Sequence, residues 1–455
     1  MKKIIILLLI IPFSSCEKFI ELDLPQDQIT QETVFKDGKL VRSALAGLYN
    51  SLKTDGFLSG GSSGGGVYFG CYTDELISYQ MANSVLDQFY KLNIRPESSA
   101  VTALWQKTYN QIYQTNRIIE GIERSTLIEV NLANQLKGEA LFMRGLLHLY
   151  LVQTFGEIPY VTTSDYTISQ HVSKDKIVDI YNKIETDVLT AKSLLATNTA
   201  IGTRFIPSKE AAQLILSRLY LIQKRWDDVI KITDDLAQNT SFQLQQDISK
   251  AYLKDNSSTI WQLSPTSATA TTYEANIHYL RSAPPYNISL QPELVNSFTT
   301  DDLRLKNWIG SINDASGKKY YYASKYKQYS TVNGQNEYSI ILRNEEVILN
   351  RAEAYIQKEE LTKGLSELNI IASRAGLAAI QMDSKENLLN RILQERQHEL
   401  FTEFGARFFD LKRYSRLDET MINVKPQWKS AFVLLPLPES ELLLNTNLYP
   451  QNYGY

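Results

Sequence analysis

The stretch Ser217–Leu236, SRLYLIQKRWDDVIKITDDL, and the stretch Asn350–Ile370, NRAEAYIQKEELTKGLSELNI, decide the fold. Each places Ile-Gln-Lys (Ile222 to Lys224, Ile356 to Lys358) between two segments of helical periodicity. The segment after the first turn has its stripe at Trp226, Val229, Ile230 and Thr233, and the segment after the second at Leu361, Leu365 and Leu368. Residues three and four apart share one helix face, so each unit reads as a helix, a short polar turn and a second helix laid against the first. Such a pair cannot close its own core, and its remaining apolar faces require stacked neighbours. The same period recurs outward from these units. Trp105, Tyr109, Ile112, Asn116 and Ile119 form one stripe, with Asn116 expected as a satisfied buried amide. Glu139 to Phe155 is apolar nearly all round, as in a helix inside a bundle, and Phe155-Gly156-Glu157-Ile158-Pro159 ends it. Lys385 to Tyr414 supplies a further pair.

These pairs resemble tetratricopeptide repeats, and the fold class expected is mainly α: a scaffold of repeat-like helix pairs, an irregular loop-rich part and a small β-hairpin. The irregular texture lies at about 241–338, rich in Ser, Thr, Asn, Tyr and Pro, and at about 54–99. Within the former, Lys318 to Gln328 alternates Tyr320, Tyr322, Ser324 and Tyr326 with Tyr321, Ala323, Lys325 and Lys327. Asn333-Gly334 is a type I′ turn signal before Tyr338 to Leu342, which predicts a hairpin between these two runs. The other stretch opens with the glycine-rich run Leu58 to Gly66, followed by Tyr68, Phe69, Tyr72 and Tyr79. Bare backbone beside aromatics suits either a ligand's close approach or a mobile loop.

The 455 residues carry 47 − 50 = −3 formal charges, with no basic run to mark a nucleic-acid partner. Hydrophobic content of 43% beside 21% charged residues excludes a disordered chain and a multi-span membrane protein. Tyrosine is abundant, 27 against 16 Phe and 5 Trp, and a phenol stacks by its face while hydrogen-bonding at its rim. The N-terminus has Lys2 and Lys3, an apolar run from Ile4 to Ile11 too short to span a bilayer, and Phe13-Ser14-Ser15-Cys16. Residues 1–15 read as a signal peptide, and the small residues before Cys16 resemble the lipobox of bacterial lipoproteins, whose cysteine is acylated and tethers the chain to a membrane. Only Cys71 then remains, so no intramolecular disulfide is expected.

Chemical motifs are thin. Gly60-Gly61-Ser62-Ser63-Gly64 matches a nucleophile elbow formally but lacks the strand before and helix after that the chemistry needs. His398-Glu399 is followed by Thr402 where a zinc-protease helix needs histidine, and His148, His171, His278 and His398 are scattered, so neither a metal nor a cofactor is expected. His148, four residues after Arg144, reads as a paired core group. Asp74-Glu75 is the most suggestive acidic pair, though adjacent acids commonly cap a helix or face solvent. Glu395, Arg396, Glu399, Glu403, Arg407 and Asp410 recur at helical spacing and read as an internal ion-pair ladder fixing two helices.

Taken together, several blocks resemble the SusD/RagB family of outer-membrane nutrient-binding lipoproteins. They are the lipobox at Cys16; Leu104-Trp105 through Tyr109 and Ile112 with Asn116; Gly138 to Arg144 running into Phe155-Gly156 and Pro159; and Arg351-Ala352-Glu353-Ala354-Tyr355. The most specific are Glu395-Arg396 with Glu399-Leu400, then Arg407-Phe408-Phe409-Asp410-Leu411 with Arg413, and the ending from Leu435-Pro436-Leu437-Pro438 to Tyr455. The resemblance implies one domain over 16–455, no bond chemistry, and capture of oligosaccharides at the cell surface for a SusC-like TonB-dependent outer-membrane barrel. An oligopeptide ligand is the alternative within the family; a surface esterase or glycosidase using Ser62 or Asp74, or a repeat scaffold for a protein partner, is less favoured. The ligand site it implies draws on Tyr72, Tyr79, Gln80, Tyr90, Asn93 and Arg95, and on Tyr273, His278, Tyr279 and Trp308. If Cys16 carries the anchor, Cys16→Ser expressed in a lipoprotein-processing host moves the chain from the detergent to the aqueous phase on phase partitioning and abolishes fatty-acid labelling.

Overall fold

A computed structural model describes residues 34–197, 204–265, 267, 270–330, 334 and 336–455; Cys16 and Asn333 lie outside the described residues. Helices of eight residues or more are α1 Gly38–Thr54, α2 Gly65–Tyr72, α3 Ser99–Arg124, α4 Val130–Phe155, α5 Ile177–Leu194, α6 Lys209–Ile222, α7 Trp226–Ala237, α8 Asn344–Gln357, α9 Leu361–Arg374, α10 Lys385–Leu400, α11 Ala406–Arg413 and α12 Leu417–Val424. The strands are β1 Leu76–Ser78, β2 Thr259–Leu263, β3 Ile288–Leu290, β4 Ile309–Asn313, β5 Lys319–Ala323 and β6 Ser339–Arg343. The fold is mainly α. α1 packs on α3 and α4, each helix from α3 to α9 lies against the next, and α10 returns to α8.

The two quoted units are the pairs α6–α7 and α8–α9, and their turns share one geometry. Lys224 and Glu359 both adopt left-handed backbone, φ 59° and 65°. Arg225 N–H bonds Tyr220 O and Lys224 N–H bonds Leu221 O; Glu360 N–H bonds Tyr355 O and Glu359 N–H bonds Ile356 O. This double closure satisfies the last carbonyls of each first helix. It also equates Tyr220 with Tyr355, one residue out of step with the Ile-Gln-Lys match: the turn, not the tripeptide, is what repeats.

Helix α4 is buried on every side from Gly138 to Phe155 and stops at Gly156, φ 77°. Asn116 is satisfied there: its amide donates to Val161 O and Thr163 O, and its oxygen accepts from Arg144 at 3.0 Å. Arg144 is held in a fork by Asp187 at 2.6 and 2.8 Å. His148 is a paired core group, as expected, with backbone partners. Its Nδ1–H donates to the Arg144 carbonyl at 2.9 Å while Nε2 accepts from Val161 N–H at 3.2 Å, which fixes a neutral ring.

The strands correct the predicted hairpin. They form a four-stranded antiparallel sheet in the order β1-β3-β5-β4 and a separate pair β2-β6. β5 turns back on β4 through Asp314, whose carboxylate accepts from the Ser316 and Lys318 N–H groups at 2.8 and 3.1 Å. β6 is buried at all five positions and therefore pairs with the equally buried β2 inside the core rather than with its sequence neighbour. In the glycine-rich run Gly60, Gly64 and Gly66 pack inward while Ser62 and Ser63 are exposed. A Cβ on Gly60 would lie 2.1 Å from the Glu274 carboxyl carbon, so bare backbone is required by internal packing.

Where the scaffold meets the sheets, a charge cluster is sealed from water. Glu399 pairs with Arg343 and Arg374, both at 2.5 Å, and with Arg304 at 3.5 Å; Arg304 also pairs with Asp302 and Glu395, each at 2.8 Å. Glu403 takes Lys325 at 2.6 Å and Arg343 at 2.9 Å, and Arg374 reaches Glu345 at 3.0 Å. The ladder was legible in part: Arg396 of α10 pairs with Asp410 of α11 and Arg391 with Glu395 within α10, whereas Glu399 and Glu403 meet cations from four distant segments. Arg396 belongs to a second cluster with Asp410 at 2.7 Å, and Arg413 joins Asp410 to Glu353. Asp74 neither caps nor faces solvent; Arg407 holds it in a fork at 2.9 and 2.6 Å. Adjacent Glu75 is buried and its carboxyl is pushed up to about 8, first by burial and then by Asp74.

Two outcomes follow for stability. Glu399→Ala leaves three buried guanidinium groups without their shared carboxylate and costs about 3–5 kcal/mol in a denaturant titration, whereas Glu419→Ala, at the exposed pair with Arg416, costs less than about 1 kcal/mol. Burial also lowers His148 to about 3, His278 to about 4 and His398 to about 2. A depressed histidine favours the neutral folded form, so its stabilisation is complete above about pH 6.5 and is lost as the unfolded chain protonates below it, by up to about 1.4 kcal/mol per pH unit for each ring. Glu75, protonated in the folded chain over the same range, offsets about one ring, so urea midpoints fall between pH 6.5 and 5 with the slope of about two rings, and His148→Gln removes about half of it.

Candidate functional site

The register of the four-stranded sheet sorts its side chains. Leu76, Ile288, Leu290 and Ala323 face the core and are buried. The opposite face carries Ile77, Ser289, Gly310, Tyr320 and Tyr322, with Tyr79 one step beyond β1. On that face the tyrosines form a row. Tyr79 meets Tyr320 edge-on at 5.9 Å, and its hydroxyl lies 3.0 Å from Ser289 Oγ. Tyr322 meets Tyr279 edge-on at 4.9 Å, and Tyr279 stacks on Tyr329 at 3.8 Å and 15°. Tyr322 also lies flat across β4, because a Cβ on its partner Gly310 would fall 2.3 Å from the ring.

Polar groups fringe the row. Gln80 donates its amide to Asn287 at 3.2 Å, and Tyr79 N–H bonds Asn287 O at 2.8 Å. Arg281 sits 5.2 Å from the Tyr329 ring centre and donates to Tyr329 O at 2.8 Å. Lys318 lies 5.1 Å over Tyr320. Tyr79 and Tyr320 have their phenols raised, chiefly by burial, and Tyr329 is raised chiefly by the Tyr279 hydroxyl, so all three are neutral hydroxyls at physiological pH. The row offers apolar ring faces edged by neutral donors and acceptors.

Of the ten residues named from sequence, the structure brings Tyr79, Gln80 and Tyr279 together on this face. Tyr72 and Trp308 are core residues, each 1% exposed. Tyr72 donates to Phe432 O and packs on Phe408 and Trp428, while Trp308 donates to Ile248 O and packs on Tyr252. His278 is 6% exposed and lines a closed space with Lys325 and Glu274. Tyr90 is half-buried beneath the Lys425 ammonium, with Asn93 and Arg95 exposed on the turn that follows it. Tyr273 lines a separate groove of 260 Å³ with Lys53, Asn276 and Tyr338. Sequence reasoning missed Tyr320, Tyr322, Tyr329, Asn287 and Arg281. The alternation of Tyr320, which is 6% exposed, and Tyr322, which is half-buried, was the available signal, but it was assigned to a hairpin rather than to the outer sheet face.

Other places offer less. The enclosed cavity among Tyr150, Arg218, Arg343 and Arg396 holds 90 Å³, well under the roughly 300–1,000 Å³ of ligand pockets. A 450 Å³ groove lined by Trp226, Gln357, Lys385 and Arg416 shares no residue with the sheet. Ser297 and His398 form a serine–histidine contact at 2.8 Å, but the hydroxyl proton goes to Leu294 O, so the ring donates and does not act as a base toward it. Among the described residues no group of three or more His, Cys, Asp or Glu is placed to hold a metal ion, and no helix is long and apolar enough to cross a membrane.

Comparison with known proteins agrees with this architecture. Residues 22–221 match the family described as "Starch-binding associating with outer membrane", and residues 310–426 match the SusD family. The chain is 26% identical to SusD-like protein P2 of Formosa agariphila, over 100% of this chain and 99% of that one. Its fold is shared with a SusD superfamily protein from Bacteroides vulgatus, 22% identical, TM-score 0.80, covering 92% of this chain and 99% of that one. It is shared also with a SusD-like carbohydrate binding protein from Bacteroides fragilis, 19% identical, TM-score 0.78, covering 92% and 100%. Both ends of the chain thus match descriptions of one group, and its full length is similar to a relative named for that group.

Proposed function

We propose that the chain captures oligosaccharides at the cell surface, on the outer face of its four-stranded sheet, and passes them to a TonB-dependent outer-membrane barrel while tethered through Cys16. The observation that carries this reading is the tyrosine row Tyr79, Tyr320, Tyr322, Tyr279 and Tyr329. Sugar rings present C–H faces that pack on aromatic faces, and their rim hydroxyls need neutral hydrogen-bonding partners, which Gln80, Asn287 and the phenols supply. A binding role suits the groups present: the phenols stay protonated and Asp314 is occupied by the turn it closes. Support also comes from the family's description as starch-binding and outer-membrane associated, and from the carbohydrate-binding relative in Bacteroides fragilis.

The test is a glycan array followed by calorimetry on the strongest hit. Tyr279→Ala, Tyr322→Ala and Tyr329→Ala each weaken binding by about three- to tenfold, the loss of one ring contact, while Tyr72→Phe, in the core, leaves affinity unchanged. Unaltered affinity in all three alanine variants removes the proposed platform.

A further inference from the structure

The tyrosine row is edged by positive charge that has no partner. Arg281 and Lys318 each stand over a ring of the row, Tyr329 and Tyr320 respectively, and both are exposed. Among the described residues neither has a carboxylate within ion-pairing distance, whereas the interior arginines at 304, 343, 374, 396 and 413 all do. The chain around the row has the same bias: from Ala315 to Asn336 it contains Lys318, Lys319 and Lys327 besides the buried, ion-paired Lys325, and no Asp or Glu. The two nearest carboxylates are committed. Asp314 accepts from Ser316, Lys318 N–H and Tyr320, and Glu337 is buried, accepting from the backbone of Lys327 and Gln328. In a chain of net charge −3 this is a local inversion of sign beside the tyrosine row.

Resting on the binding reading above, we infer that this face selects acidic glycans, oligosaccharides whose sugar units carry carboxylate or sulfate groups. The rings take the apolar faces of the sugars, and the Arg281 guanidinium and Lys318 ammonium take the anionic substituents. Arg281 is suited to this because its fork is steadied by the Tyr329 carbonyl, leaving other N–H groups for a planar anion. A neutral glycan gains nothing from either cation, so charge on the ligand decides between glycans that stack equally well.

The experiment compares, by calorimetry on the chain from Glu17 onward, a galacturonic acid oligomer, a sulfated galactan oligomer and a maltooligosaccharide of equal length. At least one anionic oligomer binds more tightly than the neutral one, and its affinity falls in 0.5 M salt. Arg281→Gln and Lys318→Gln each weaken that oligomer by about tenfold and weaken the neutral oligomer by much less, since the neutral ligand makes no ion pair with either side chain. The carboxylated and sulfated arms tell which anion is preferred. Tighter binding of the neutral oligomer, with both variants silent, overturns the inference and leaves the tyrosine platform standing. Binding of none of the three overturns both.

Discussion

Three guanidinium groups share one carboxylate in a place water does not reach, and the rest of the molecule is arranged around that fact. Removing an ion from water costs several kcal/mol, so Glu399 and Arg304, Arg343 and Arg374 are tolerable only while all stay assembled. The partners come from the short helix Leu303–Trp308, the end of β6, the end of α9 and the end of α10. Lys325, two residues past β5, joins through Glu403 and the carbonyls of Glu399 and Phe401. That bond ties the tyrosine-bearing sheet to the helical scaffold, so the orientation of the ligand face is set by an interaction in the interior.

Local patterns were legible and distant partners were not. The stripe from Trp105 to Ile119, the all-round apolarity of α4 and the two helical turns are written in periods of three and four, because the residues that fix them are neighbours on one helix. Glu395 has Arg391 four residues before it on the same helix, but the cations of Glu399 lie 25 to 95 residues away in sequence, and no short-range rule points to those. The hairpin failed for a related reason. Asn-Gly was the stronger turn signal, but Ser339–Arg343 is apolar enough to be buried on both faces, and burial chose β2 as its partner.

The site shows the same division. Tyr72, Trp308 and His278 lie in irregular stretches, where aromatic content looks alike whether a ring faces solvent or core. Only the strand register separates the two faces of β5, and it places Tyr320 and Tyr322 outward beside Tyr79.

Gly310 gives this surface a separate means of adjustment. The Tyr322 ring rests where any larger residue at 310 would place its first side-chain carbon. Strand β4 is an edge strand, paired on one side only, and position 310 is partly open to solvent. Adding bulk there re-aims one aromatic plane while every buried ion pair and helix stays as it was. Position 310 is thus a place where the outer face can be reshaped independently of the skeleton that carries it.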